Sequence, residues 1–199
     1  MAHVEIRFCG FGGQGIILAG YIAGKAATLF DRRHATLTQS YGPESRGGAC
    51  SAELIISDEP ILYPHLLRPD VLVAMSQPAY ERYRHELAPG SLLLVDADLV
   101  RPEEESSRVR LYAVPATRLA EELGRSVVAN IVMLGFFTAV AQVISEDGML
   151  SAILDSVPAG TEELNRRAFE TGLSWGRRAL EEAKPSLRDL QGKGQESRA

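Results

Sequence analysis

Hydrophobic positions fall into short runs separated by longer stretches of helical period, and this alternation predicts an α/β protein. Val4 to Phe8 is short and β-prone. It runs straight into GFGGQG and then the apolar stretch IILAGYIAGKAATLF, which reads as strand, tight turn and helix. Ala35 to Gln39 predicts a second strand, and Ala49 to Ile56 alternates as a third, closed by Ser57-Asp58-Glu59-Pro60. Asp70 to Met75 and Ser91 to Val95 are short, mainly apolar runs, as strands buried on both faces are, and Val109 to Val114 adds another. Ser76 is placed to cap the helix that follows it, with Pro78 tolerated in the first turn, and Pro89-Gly90 marks a turn. A long apolar helix is expected over Val127 to Ile144. The final helix, Glu162 to Glu182, puts Leu164, Ala168, Trp175 and Ala179 on one face. The expectation is a single three-layer α/β/α domain over residues 1–184 with a mostly parallel sheet. Residues 185–199 are polar enough to predict a flexible tail.

With 199 residues the chain can bury one sizeable core, roughly 70% of its unfolded surface. A formal charge of −5, with Arg166-Arg167 and Arg177-Arg178 among the densest basic groups, argues against a nucleic-acid partner. The N-terminus turns polar and glycine-rich too soon for a signal peptide, so the expected location is cytoplasmic. Val127 to Ile144 approaches the length of a membrane span, yet Asn130, Thr138 and Gln142 interrupt it and no basic flank or aromatic belt follows. Burial in a core or a subunit interface is the reading taken, with Phe136 and Phe137 as candidates for contact with other subunits and a homodimer possible for the isolated chain. Cys9 and Cys50 are the only cysteines. Two thiols in apolar strands cannot supply an iron–sulfur cluster or a structural zinc site, so no metal site is expected.

Gly10, Gly12 and Gly15 satisfy GxGxxG directly after a strand and at the start of a helix, a Rossmann-like context. Such a turn lets the backbone approach a phosphate, and the helix contributes unpaired N–H groups. A tight strand-to-helix crossover with no ligand is the plainer alternative. Nicotinamide-dinucleotide binding fits poorly. The second strand ends Leu37-Thr38-Gln39-Ser40 without the acid that would hold a ribose, and Asp31 precedes that strand. His3, His34, His65 and His85 all fall in polar or turn settings, so no catalytic residue is expected. The second turn, SYGPESRGG from Ser40 to Gly48, would face the first. Arg46 could there pair with a phosphate or carboxylate, or instead with Glu44 or Glu53, while Tyr41 could stack on a base.

Taken together, GFGGQGIILAG, TQSYGPESRGG, AELIISDEPILYP, DVLVAMSQPAYERY, GSLLLVDADLV, VANIVMLGFF and ELNRRAFETG resemble, in that order, the gamma subunits of 2-oxoacid:ferredoxin oxidoreductases. SYGPESRGG is more similar to the 2-oxoglutarate branch than to the indolepyruvate branch. The resemblance implies a non-catalytic subunit of an enzyme that decarboxylates a 2-oxoacid, reduces ferredoxin and releases an acyl-CoA. It implies alpha, beta and possibly ferredoxin-like delta partners that carry thiamine diphosphate and the iron–sulfur clusters. Asp147-Gly148 is the only Asp-Gly pair and reads as an ordinary turn. It also implies that coenzyme A meets this chain at Gly10, Gly12, Gly13, Gln14 and Gly15, faced by Ser40, Tyr41, Arg46, Gly47 and Gly48. A stand-alone nucleotide-binding or regulatory module of the same fold is the alternative.

Overall fold

The computed structural model describes residues 3–40, 49–103 and 109–183. The tail expected over 185–199 lies outside them, as do Tyr41, Arg46, Gly47 and Gly48. Six strands form one sheet: β1 (His3–Phe11), β2 (His34–Ser40), β3 (Ala49–Ser57), β4 (Val71–Ala74), β5 (Leu92–Asp96) and β6 (Arg110–Val114). Their order across the sheet is β2-β3-β1-β4-β5-β6. The steps from β1 through β4 and β5 to β6 are parallel, whereas β3 runs antiparallel to both of its neighbours. Helix α1 (Ile16–Lys25), prolonged by a π-helical segment at Ala26–Phe30, carries the chain past the place of β3. The hairpin then folds β3 back into the gap between β2 and β1. The remaining helices are α2 (Gln77–Tyr83), α3 (Ala116–Glu122), α4 (Ala129–Ala141), α5 (Glu146–Leu154) and α6 (Glu162–Glu182).

Strand alternation divides the core between two faces. Val4, Ile6 and Phe8 join Leu54, Ile56, Val73 and Leu94 beneath α1, α4, α5 and α6. On the other face Cys9, Leu72, Ala74, Leu93 and Val95 pack against Ala79, Tyr80 and Tyr83 of α2. Arg7 also points to this second face, only 6% exposed. Its Nη2 lies 2.9 Å from Glu53 Oε1 on β3, its Nη1 bonds Glu86, and its guanidinium sits 4.4 Å from the centre of the Tyr83 ring. Burial alone would lower the pKa of this guanidinium, but the hydrogen bonds and charges of Glu86 and Glu53 outweigh it and raise the value.

The long apolar helix belongs to the protein's own core. Every residue from Ala129 to Val140 is buried, and Phe137 meets Phe8 edge to face at a centroid distance of 5.3 Å. Phe136 and Phe137 are 0% exposed, which removes them as contacts for other subunits. The helix is shorter than the apolar run because a 3₁₀ turn precedes it at Ser126–Val128 and Gln142 ends it in a left-handed conformation (φ 53°). Among the described residues no helix is long and apolar enough to cross a membrane. Helix α6 crosses α4 almost backbone to backbone. A Cβ at Gly172 would overlap the Val132 carbonyl, and one at Gly135 would overlap that of Phe169.

Three local expectations are corrected. Ser76 occupies the N-cap position of α2, but its side chain makes no capping bond. Asp147-Gly148 lies in the first turn of α5 rather than in a simple turn. There Ser145 Oγ accepts from Gly148 N at 3.0 Å, and Asp31 accepts from Ser145 N and Oγ at 2.8 and 2.5 Å. Helix α3 was not anticipated. Asp96, 0% exposed at the end of β5, accepts from Thr117 N and Oγ in its first turn at 3.0 and 2.6 Å. Burial pushes the Asp96 carboxyl above its ordinary range, against the pull of those donors.

Candidate functional site

The strand order reverses at β1, with antiparallel β3 on one side and parallel β4 on the other. In an open α/β sheet, the rim beyond the strand C-termini at such a point is where ligands bind. The glycine turn stands on this rim. Gly10 still belongs to β1, and Gly12, Gly13 and Gln14 form the turn, with Gly13 at φ 99°. Gly15 is the N-cap of α1 at φ 73°, a conformation glycine adopts without strain. A side chain at Gly15 would also collide with the Asn130 amide, whose Nδ2 donates to Gly15 O at 3.3 Å. Backbone angle and neighbour therefore both demand glycine here.

Gln14 holds the turn together. Its Oε1 accepts from Phe11 N at 2.7 Å, and its Nε2 donates to Met75 O at 2.8 Å, just past β4. Met75 N in turn donates to Cys9 O at 2.8 Å. The Gln14 amide is thus engaged with the protein's own backbone, tying the turn across the β1–β4 crevice. Helix α1 has no side-chain cap and no acid in its first turn. Its leading N–H groups and dipole end are left for an anion. Gln14→Leu is expected to lower stability by about 2 kcal/mol, because two backbone groups lose a partner inside a partly buried turn. Urea unfolding checks this, and an unchanged midpoint at constant slope would show that the turn holds without the bridge.

The second turn springs from the same rim. In the β1–β3 register Phe11 pairs with Ala49, and in the β2–β3 register Ser40 pairs with Ser51. Its described stems, Ser40 and Ala49, therefore stand at the strand ends beside the glycine turn. Ser40 is exposed. Tyr41, Arg46, Gly47 and Gly48 fall outside the described residues. Glu53, one of the partners considered for Arg46, is held by Arg7 and by Thr38 Oγ1.

Next to the glycine turn lies a cavity of about 280 Å³. Gly13, Gly15 and Leu18 stand on one side, residues between Arg125 and Ile131, Asn130 among them, on another, and Val157, Thr161, Leu164 and Asn165 on the third. Sequence reasoning noted Asn130 only as a polar interruption of an apolar helix and did not reach Arg125, Thr161 or Asn165. A buried polar side chain demands a hydrogen-bond partner, so Asn130 was the available signal. Its partner lies 115 positions away.

Other chemistry is spoken for. Asp31 caps α5 and is not held for a ribose. The four histidines are exposed, and no group of three or more His, Cys, Asp or Glu side chains placed to hold a metal occurs among the described residues. Cys9 and Cys50 are both buried but pack into opposite faces of the sheet. Burial raises the pKa of each thiol, far beyond the ordinary range for Cys9. They do not fit the ligation of a cluster.

Residues 5–175 match the family model described as pyruvate ferredoxin/flavodoxin oxidoreductase. The chain is 53% identical over 170 residues to the 2-oxoglutarate synthase subunit KorC of Methanocaldococcus jannaschii, covering 84% of this chain and 91% of that protein. It is similar to the solved gamma subunit of a keto/oxoacid ferredoxin oxidoreductase from Geobacter sulfurreducens. That match has a TM-score of 0.80 and 40% identity, over 90% of this chain and 99% of the other. The fold also recurs in the 2-oxoglutarate:ferredoxin oxidoreductase of Magnetococcus marinus, solved with 2-oxoglutarate, coenzyme A and succinyl-CoA. There the TM-score is 0.80 at 24% identity, over 89% of this chain but 32% of that one.

Proposed function

The chain belongs to the pyruvate ferredoxin/flavodoxin oxidoreductase family, and on that premise we propose that it is the gamma subunit of a 2-oxoglutarate:ferredoxin oxidoreductase, contributing the phosphate-binding part of a coenzyme A site. The oxidation converts 2-oxoglutarate and coenzyme A to succinyl-CoA, carbon dioxide and one proton, with two electrons passed to ferredoxin. Thiamine diphosphate and the iron–sulfur clusters belong to alpha, beta and ferredoxin-like delta partners, in keeping with two cysteines on opposite faces of one sheet.

One observation carries the reading: an uncapped helix N-terminus at the switch point, on a glycine turn that Gln14 ties to the end of β4. The N–H groups of Gly12, Gly13, Gly15 and the first turn of α1 are the donors for phosphate oxygens, with Gly10 allowing the close turn. Gly10 is itself hemmed in, since a Cβ there would come within 2.5 Å of Gln14 Oε1. The facing side of the site is assigned to Ser40, Tyr41, Arg46, Gly47 and Gly48, the last four of which lie outside the described residues. Arg46 supplies the cation, and Tyr41 supplies a face for the base. Coenzyme A binds here as substrate, oriented so that its thiol reaches the reacting centre on a neighbouring subunit.

Calorimetric titration of the assembled complex with coenzyme A tests this. Gly12→Val and Arg46→Ala are each expected to weaken binding by about tenfold or more, the equivalent of at least ~1.4 kcal/mol. Wild-type affinity in both variants would remove the two turns from the site.

A further inference from the structure

We propose that the hydroxyl of Ser76 donates to the pyrophosphate of the guest from the β4 side of the crevice, opposite the glycine turn. The inference rests on the coenzyme A reading and adds a side-chain donor to a cradle otherwise made of backbone N–H groups and Arg46.

Helix α1 leaves β1 towards one face of the sheet, where Ile16, Ala19 and Ile22 join the core. Helix α2 leaves β4 towards the other face, where Ala79, Tyr80 and Tyr83 are buried. Neighbouring parallel strands whose following helices part in this way leave a crevice between their C-terminal ends. One side of it is the glycine turn. The other is Met75-Ser76, the first two residues after β4. The two sides are laced together, since Met75 N donates to Cys9 O and Gln14 Nε2 donates to Met75 O. Cys9 is level with Ala74 in the β1–β4 register, which brings Ser76 alongside Phe11 and the start of the turn.

Ser76 is 1% exposed, and its Oγ has no hydrogen-bond partner. Four other buried hydroxyls each have one: Ser51 with Tyr83, Ser57 with Glu59 N, Ser91 with Pro69 O, and Thr138 with Leu134 O. The unpartnered nitrogens of Arg7 and Arg84 are of another kind, because each belongs to a guanidinium that is paired with glutamate through its other nitrogens. Capping α2 is the familiar role for a serine at this position, and Ser76 does not fill it. An N-cap hydroxyl accepts from the second or third N–H of its helix. Here the second residue is Pro78, which has none, and no capping bond forms.

A buried hydroxyl without a partner costs stability that an alanine would not. At the edge of an anion site, a phosphate oxygen completes it. Rotation about χ1, the single bond that positions Oγ, aims the hydroxyl into the crevice. The pyrophosphate is the group that the glycine turn receives, and Ser76 follows directly on the carbonyl that Gln14 binds, so both sides of the crevice meet on that group. The thiol-bearing arm stays free to reach the neighbouring subunit.

Ser76→Ala tests this through two readouts of different sign. The full-length chain without ligand should melt at the wild-type temperature or up to about 2 °C above it, since no bond is lost. The assembled complex should bind coenzyme A about tenfold more weakly by calorimetry, and 3′-dephospho-coenzyme A, which keeps the pyrophosphate, weaker by the same factor. A lowered melting temperature would overturn the proposal, because the hydroxyl would then have a partner in the empty chain. So would wild-type affinity for coenzyme A in Ser76→Ala, and a loss of affinity in Gly12→Val would show the glycine turn still in place. Weakening confined to coenzyme A would also overturn it, moving the contact to the 3′-phosphate. A wild-type complex that binds neither probe would remove the cradle and the part of Ser76 in it together.

Discussion

Gly172→Ala is expected to destabilise the chain by about 3 kcal/mol, at the upper end of overpacking costs, and to lower the melting temperature by roughly 10 °C. The added methyl would overlap the carbonyl oxygen of Val132, a backbone atom that no rotamer change can move aside. Helices α4 and α6 would have to separate. The layer that suffers holds Phe136, Phe137, Phe169 and Leu173. Gly135→Ala, where the obstacle is the Phe169 carbonyl, should behave alike. The control is Gly12→Ala, because a Cβ at Gly12 has nothing within 4 Å. Calorimetric melts of the three variants decide the matter. A Gly172→Ala protein that melts with Gly12→Ala would show that the crossing has slack.

Arg7→Met is the second large effect. Removing one member of a buried ion pair leaves the other charge without compensation, at about 3–5 kcal/mol for a sealed site. Glu53 and Glu86 are 19% and 40% exposed, so water can relieve part of that penalty. The expected loss is therefore about 2–3 kcal/mol, measured as a lower urea midpoint at constant slope. Methionine fills much of the space above Tyr83, so the loss reports on charge more than on volume. Replacing Glu86 by Gln in the Arg7→Met background should cost less than Glu86→Gln alone costs in wild type. Strict additivity would mean that Arg7 and Glu86 do not depend on each other.

All six strands were legible from period and composition, because their apolar runs are short and bounded by turn residues. The glycine turn was equally plain. Helix α3 was not, since the group that accepts from its first turn is Asp96, far back in the chain at the end of β5. Helix α5 carried a readable cap, Ser145, but the Asp-Gly pair behind it looked like a turn. Gly148 is tolerated there because a side chain would meet Ser145 Oγ and Asp31 Oδ1. The position of β3 between β1 and β2 depends on which side of the sheet a hairpin adds, and local sequence does not encode that choice. The inner half of the candidate site was hidden for the same reason. Asn130, Thr161 and Asn165 come to the cavity beside the glycine turn only through α4, which packs against both α1 and α6.

The Arg7–Glu53 bridge also acts as an alignment pin. Sliding β3 by a single residue against β1 would carry Glu53 into the aliphatic layer under α1 and turn Leu54 towards Arg7. Such a misalignment strands the Glu53 charge among aliphatic groups and leaves Arg7 with Glu86 alone, so β3 has one permissible setting. The strand ends at Ser40 and Ala49 are thereby held level with the end of β1, where the glycine turn begins.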